Sequence, residues 1–364
     1  MIIYIIAAIF PLLVGYLFNT RVAIGFTEEM VETKKYRRRR WWWLFLAALP
    51  MFALIAFRAF HLGNDTFAYL KFFKWMVDTP WERIFIVNEE GPQFELGFVV
   101  FEKLLTYVTQ SSQVYQVIYS SIYLLAVVFF ANQLEKENFS FLFFFATMGT
   151  YTFMFTGVRQ CLAMSICLFS YYFIKKRKFI PFFMLLLLAF TFHKSSILFI
   201  IAYFIYNRKI SWINAFIYTA FGGLAFVYID LIQEWFNDNL DYDYGVEETG
   251  NGLIMFVIIA VVTLFSFFMI LYYEKQTKES VGLLNIGVIS LILWLLRLAT
   301  RVAERPSFYF MFFSAAMLGY ALDAVSDKKD GLIYKFIVYS GFLLLFVYRL
   351  LTSQASLVPY VSFF

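Results

Sequence analysis

Uncharged apolar stretches of about 18 residues or more return along the whole chain, and they leave few folds open. The run 252–273, GLIMFVIIAVVTLFSFFMILYY, carries no charged side chain. A segment of that length crosses hydrocarbon only as a helix, because a helix satisfies its own backbone N–H and C=O groups. The weak alternating patterns of a membrane barrel are absent. Composition agrees: 15% of residues are charged, against about a quarter in a soluble domain. The expected fold is an all-α polytopic membrane protein, one transmembrane domain over 1–364, with a GT-C-like arrangement left open.

About 12 spans are predicted, within a range of 10 to 14: 2–18, 41–57, 113–131, 139–156, 158–174, 179–192, 195–207, 211–229, 252–273, 281–298, 306–322 and 332–350. The spans 179–192 and 195–207 are short enough to form a V-shaped pair that stops inside the bilayer. The first, MIIYIIAAIFPLLVGYLF, lacks a basic n-region and a small-x-small cleavage site, so it reads as a retained span. Cys161 and Cys167 share one apolar segment, about 9 Å apart along a helix, and read as packing residues.

Lysine and arginine set the orientation. With the N-terminus outside, the inner loops hold 18 of the chain's 30 basic residues, and the run KKYRRRRWWW meets anionic inner-leaflet lipid. The net charge of +5 therefore belongs to topology and gives no sign of nucleic acid. The acidic stretch 230–251, with seven acids and no base, then falls outside. So does 58–112, read as an outer-face amphipathic or re-entrant helical segment.

The remaining ionisable residues are expensive near lipid. Arg58, Asp65, Arg159, His193, Arg297, Arg301 and Arg305 all land near the outer face in an orientation that was chosen without them. The last three stand four residues apart; on one helix they would share a side over about 12 Å. Each has a plainer reading as an interfacial anchor, ion pair, turn residue or buried histidine, and Glu95 as a solvated helix residue. Together, arginine forks with one histidine suit a phosphate-rich ligand, and at an outer bilayer face that means a lipid-linked one.

Several segments resemble EpsG-family proteins: RAFHLGNDTFAYLKFF (58–73), PQFELGFVVFEKLL, GVRQCLAMSICLFSYYFIKKRKFIPF (157–182), FHKSSILF, RPSFYF (305–310) and the terminal VPYVSFF. The likeness keeps one order over most of the chain. These are Wzy-like polymerases of exopolysaccharide, capsule or O-antigen. The resemblance implies a glycosyltransferase of the bacterial cytoplasmic membrane, with N- and C-termini outside, moving a growing glycan from undecaprenyl pyrophosphate onto a lipid-linked repeat unit. Undecaprenyl-pyrophosphate-linked oligosaccharides and membrane lipids are the implied partners, with a chain-length regulator or flippase as a further candidate. Arg58, Asp65, Arg159, His193 and Arg305 occupy the motif positions.

On this reading Arg58, Arg159, Arg297, Arg301 and Arg305 bind pyrophosphate, with Arg159 and Arg305 closest to the developing charge. His193 or Asp65 takes the acceptor proton, with Glu95 the third choice. Tyr69, Trp75, Trp81 and Tyr309 are candidates to stack on sugar rings. No metal or cofactor is expected. The alternatives are a lipid-linked oligosaccharide transporter or flippase, whose polar residues would run through the membrane depth, and an outer-face ligase.

Overall fold

The computed structural model describes residues 1–22, 34–136, 138–209, 212–231, 233–234, 252–273, 276–326, 330–352 and 357–364. Most of the acidic stretch 230–251 and part of the basic stretch 19–40 lie outside these residues. Among the described residues all regular elements are helical, apart from one isolated bridge between Arg58 and Ser362.

The helices are α1 (Ile2–Val22), α2 (Lys34–Ala56), α3 (Thr66–Asp78), α4 (Ile84–Glu89), α5 (Leu96–Leu105), α6 (Ser112–Gln133), α7 (Asn138–Thr147) and α8 (Thr150–Phe153). They continue as α9 (Val158–Lys175), α10 (Phe179–Phe192), α11 (Ile200–Ile205), α12 (Trp212–Val227), α13 (Gly252–Tyr272), α14 (Lys278–Leu296), α15 (Glu304–Ala324) and α16 (Gly331–Thr352). Among the described residues six stretches are long and apolar enough to cross a bilayer: α1, α6, α13, α14, α15 with the turn before it, and α16.

The core forms around α15, 94% of whose apolar window is buried, whereas α16 buries 11% of its own. Helix α15 packs on α14, α13 and α7, and a second group joins α1, α2, α6, α9 and α10. Aromatic rings knit the two together, as where Phe130 of α6 meets Phe313 of α15 edge-on at 5.2 Å. Such pairs add about 0.5–1.5 kcal/mol beyond the area they bury.

The expected span 139–156 is broken. Gly149 adopts a φ of +108°, which stops α7 and restarts the chain as α8. The break has a cause: Arg349 donates to Met148 O at 2.5 Å, and a Cβ on Gly149 would lie 2.1 Å from its guanidinium. The short pair 179–192 and 195–207 is a hairpin. Phe179 meets Tyr203 at 5.2 Å and Phe182 meets Phe199 at 6.3 Å, so α10 runs antiparallel to the 3-10 turn Lys194–Phe199 and α11, with His193 at the apex. Helix α10 has 14 residues, about 21 Å of rise against about 30 Å of hydrocarbon.

Polar side chains collect at the two ends of α9, α14 and α15. At one end the buried Glu279 accepts from Lys175 and Tyr320, and from Glu135 N at 2.6 Å. At the other end lie Arg159, Arg297 and Arg305. The C-terminal tail returns to this second end: Ala59 N donates to Val361 O and Phe363 N to Phe57 O, both at 2.8 Å. Tyr4 of α1 donates to Leu357 O at 2.9 Å, so the first helix begins where the last segment finishes.

Candidate functional site

Gly157 lets the chain enter α9 tightly, since a Cβ there would lie 2.3 Å from the Phe153 ring. Two residues later Arg159 projects from the first turn. Its guanidinium pairs with Glu95, faces the Phe94 ring at 4.3 Å and donates to the Tyr69 hydroxyl at 3.5 Å. Two parts of the segment 58–112 therefore converge on α9.

Glu95 also accepts from Lys194 N at 3.3 Å, which brings the α10 hairpin to the same place. Helix α5 can come this close because residue 97 is glycine; a Cβ on Gly97 would lie 2.1 Å from Thr191 Oγ1. His193 is 4% exposed, and its Nδ1 lies 2.7 Å from Ser195 Oγ. Ser195 in turn donates to the Tyr309 hydroxyl at 3.4 Å. Burial, then the charges of Arg159 and Arg305, hold the His193 pKa well below its usual 6.5.

Arg305 enters from α15. Gln160, next to Arg159, donates to Arg305 O at 2.5 Å and ties the first turns of α9 and α15 together. The Arg305 guanidinium carbon stands 5.5 Å from the Phe153 ring, which stacks on Phe308 at 4.2 Å. Asp65 sits at the N-cap of α3 without capping it. Burial raises the Tyr69 hydroxyl pKa, Arg159 draws it back, and Asp65 and Arg305 are both near enough to act on it.

The fold thus gathers Asp65, Tyr69, Glu95, Arg159, His193, Arg305 and Tyr309. It places the other expected residues differently. Arg58 is 0% exposed and spends its donors on Leu62 O (3.1 Å), Ile55 O (2.8 Å), Thr66 Oγ1 (3.1 Å) and Tyr119 OH (2.6 Å). That is a latch closing the end of α2, with no face left for a ligand. Arg297, Arg301 and Arg305 do not share one helix. Arg297 caps α14, Arg301 lies exposed in the 3-10 turn Arg301–Ala303, and Arg305 belongs to α15. Extended Thr300 breaks the chain between them, its hydroxyl accepting from Val302 N at 3.3 Å. Arg297 pairs with Glu304 at 2.6 Å. Tyr309 is 1% exposed, so a sugar face cannot reach it. Trp75 lies under Lys71 at 4.8 Å, and Trp81 donates to Tyr107 at 2.8 Å, both on the surface of the segment 58–112.

Ser195, Gln160, Phe94 and Phe153 escaped the sequence reading because it followed charge. A rule asking what neighbours each odd charged residue or histidine would have found three of them: Phe94 precedes Glu95, Gln160 follows Arg159, and Ser195 follows His193 by two. Among the described residues no group of three or more His, Cys, Asp or Glu could hold a metal ion.

The family model of EpsG matches residues 41–362. The chain belongs to the EpsG family. That family is associated with exopolysaccharide-related, polymerase-type activity, and the match takes in every residue gathered above. Comparison with curated proteins gave no match, and neither did comparison with solved structures.

Proposed function

We propose that this chain is a Wzy-type polysaccharide polymerase, a glycosyltransferase that moves a growing glycan from undecaprenyl pyrophosphate onto a lipid-linked repeat unit. The observation that carries the reading is the convergence of Arg159, Arg305 and a buried, neutral His193 where four parts of the chain meet. The positive-inside orientation puts this end of the bundle, and both termini, on the outer face of the cytoplasmic membrane.

The acceptor hydroxyl oxygen forms a bond to the anomeric carbon of the growing chain. The bond from that carbon to the diphosphate oxygen breaks, and its electron pair leaves on the diphosphate. Arg159 and Arg305 are positioned to meet that growing negative charge with fixed cations. In the resting site Glu95 occupies Arg159; a diphosphate displaces it as the guanidinium's anionic partner. The hydroxyl proton passes to a base, His193 or Asp65, and from there to water. Glu95, held by Arg159 and Lys194 N, serves better as counter-ion than as base. Tyr69, itself buried, positions Arg159 through its hydroxyl, and Arg58 becomes a positioning residue.

Purified protein in lipid nanodiscs, given lipid-linked repeat units, should produce a ladder of glycan lengths. A single product would indicate a ligase, and unchanged lipid would indicate a transporter; either result overturns the proposal.

A further inference from the structure

The two arginines assigned to the diphosphate sit in matching places. Arg159 is the second residue of α9 and Arg305 the second of α15, and both helices start at the same end of the bundle. Their N-caps, Gly157 and Ala303, make no side-chain cap. A helix N-terminus carries partial positive charge, so a cation in the first turn is disfavoured and two such ends side by side repel. Glu95 on Arg159 and Glu304 in the first turn of α15 offset part of this. Broad packing does not hold the two ends together: α15 packs chiefly on α14 and α13 and touches α9 over a short length. One polar side chain does bridge them. Gln160, 1% exposed, donates its amide to Arg305 O at 2.5 Å. Only the nitrogen of that amide can donate to a carbonyl, so its orientation is settled.

We infer that Gln160 is a positioning residue that sets specificity: it fixes the spacing of the Arg159 and Arg305 turns, so that the site takes an anion with two phosphate centres in preference to one with a single centre. The identity of the lipid rests on the polymerase reading; the spacing does not. Guanidinium forks are directional donors. A diphosphate engages both forks only when they stand at one separation, which the Gln160 bond holds against the repulsion of the two helix ends. A lipid monophosphate engages one fork wherever the other stands. The two lipids share the same hydrocarbon and differ only in the group that Gln160 helps to measure. Gln160 acts through the backbone of Arg305, and its own side chain is buried away from the ligand.

The test is native mass spectrometry of the protein in nanodiscs, with undecaprenyl diphosphate and undecaprenyl phosphate as the probes. Wild-type protein should bind the diphosphate at least about tenfold more tightly, the scale of one charge-assisted hydrogen bond. Gln160→Met keeps the length of the side chain and loses the donor. It should weaken diphosphate binding about tenfold, leave monophosphate binding within about threefold, and raise the KM for the donor in the ladder assay. Gln160→Asn keeps the amide but falls one methylene short of Arg305 O, and should lose the preference in the same way. An unchanged preference in folded Gln160→Met or Gln160→Asn protein, or equal weakening of both probes, overturns the inference. So does wild-type protein that shows no preference; if that protein still makes a ladder, the polymerase stands. A preference that Gln160 controls in protein that makes no ladder upholds the inference and fails the polymerase alone.

Discussion

Arginine 159 should be indispensable for chain growth in a way that can be separated from its part in stability. The structure holds its guanidinium by three contacts, to Glu95, the Phe94 ring at 4.3 Å and the Tyr69 hydroxyl at 3.5 Å. A donor held so firmly and aimed at developing charge contributes about 2.7–4 kcal/mol to the transition state, so Arg159→Ala should slow polymerisation by about 10²–10³. Arg159→Lys keeps the charge but loses the planar fork and should recover no more than about tenfold of this. Truncation has a second effect. It leaves the Glu95 carboxylate, 12% exposed, with Lys194 N at 3.3 Å as its remaining donor. An under-partnered buried carboxylate costs about 1–3 kcal/mol of stability. Glu95→Gln removes that charge, so the double variant Arg159→Ala/Glu95→Gln should melt near wild type and still fail to polymerise. The assay is ladder formation from lipid-linked repeat units in nanodiscs, beside a thermal melt of the same sample. Arg159→Ala protein within about threefold of the wild-type rate, or a double variant that regains activity with stability, would refute the assignment.

Other perturbations test the rest of the framework. Arg58→Ala should cost about 2–5 kcal/mol and lower the melting temperature sharply, because it opens a buried void and takes from the Tyr119 hydroxyl its donor, while the Ile55 and Leu62 carbonyls keep only Gln116 and Thr66. Gly149→Ala should lose about 1–2 kcal/mol to backbone strain at φ +108° and more to collision with Arg349; Arg349→Met in the same protein should relieve only the second part. The unfolded chain protonates His193 near pH 6.5 while the folded site resists. Stability should therefore fall as pH drops below about 6.5, and His193→Gln should flatten that limb of a melting-temperature profile. Glu102 behaves oppositely. Burial raises its carboxyl well above the usual range, with a Tyr115 hydrogen bond at 2.8 Å pulling back. The folded state holds that proton longer than the unfolded one, so stability should decline as pH rises above about 4.5, and Glu102→Gln should melt higher than wild type at pH 8.

The sequence is most legible where one physical rule acts alone. Apolar length exposed the helical membrane fold, and the charge pattern sorted loops that the structure gathers at two ends of α9, α14 and α15. The V-shaped pair could be seen because α10 is too short for the hydrocarbon. The break at Gly149 could not, because its cause is Arg349, about 200 positions away in the chain. Within the site, Arg159, His193 and Arg305 stood out as charges that cost too much to be idle. Arg58 stood out for the same reason, yet its cost is met by carbonyls of its own turn and by Tyr119. Hydropathy registers that a buried arginine needs partners; it does not say whether the protein or a ligand supplies them. Tyr309 shows the converse: a phenol suited to stacking is placed by α15 wholly inside the core.

The most direct measurement is a cryo-electron microscopy map of the protein in nanodiscs with an undecaprenyl diphosphate analogue. The diphosphate should sit within hydrogen-bonding distance of both the Arg159 and Arg305 guanidiniums, with Glu95 displaced from Arg159. Diphosphate density elsewhere, with the Glu95–Arg159 pair intact, would contradict the account.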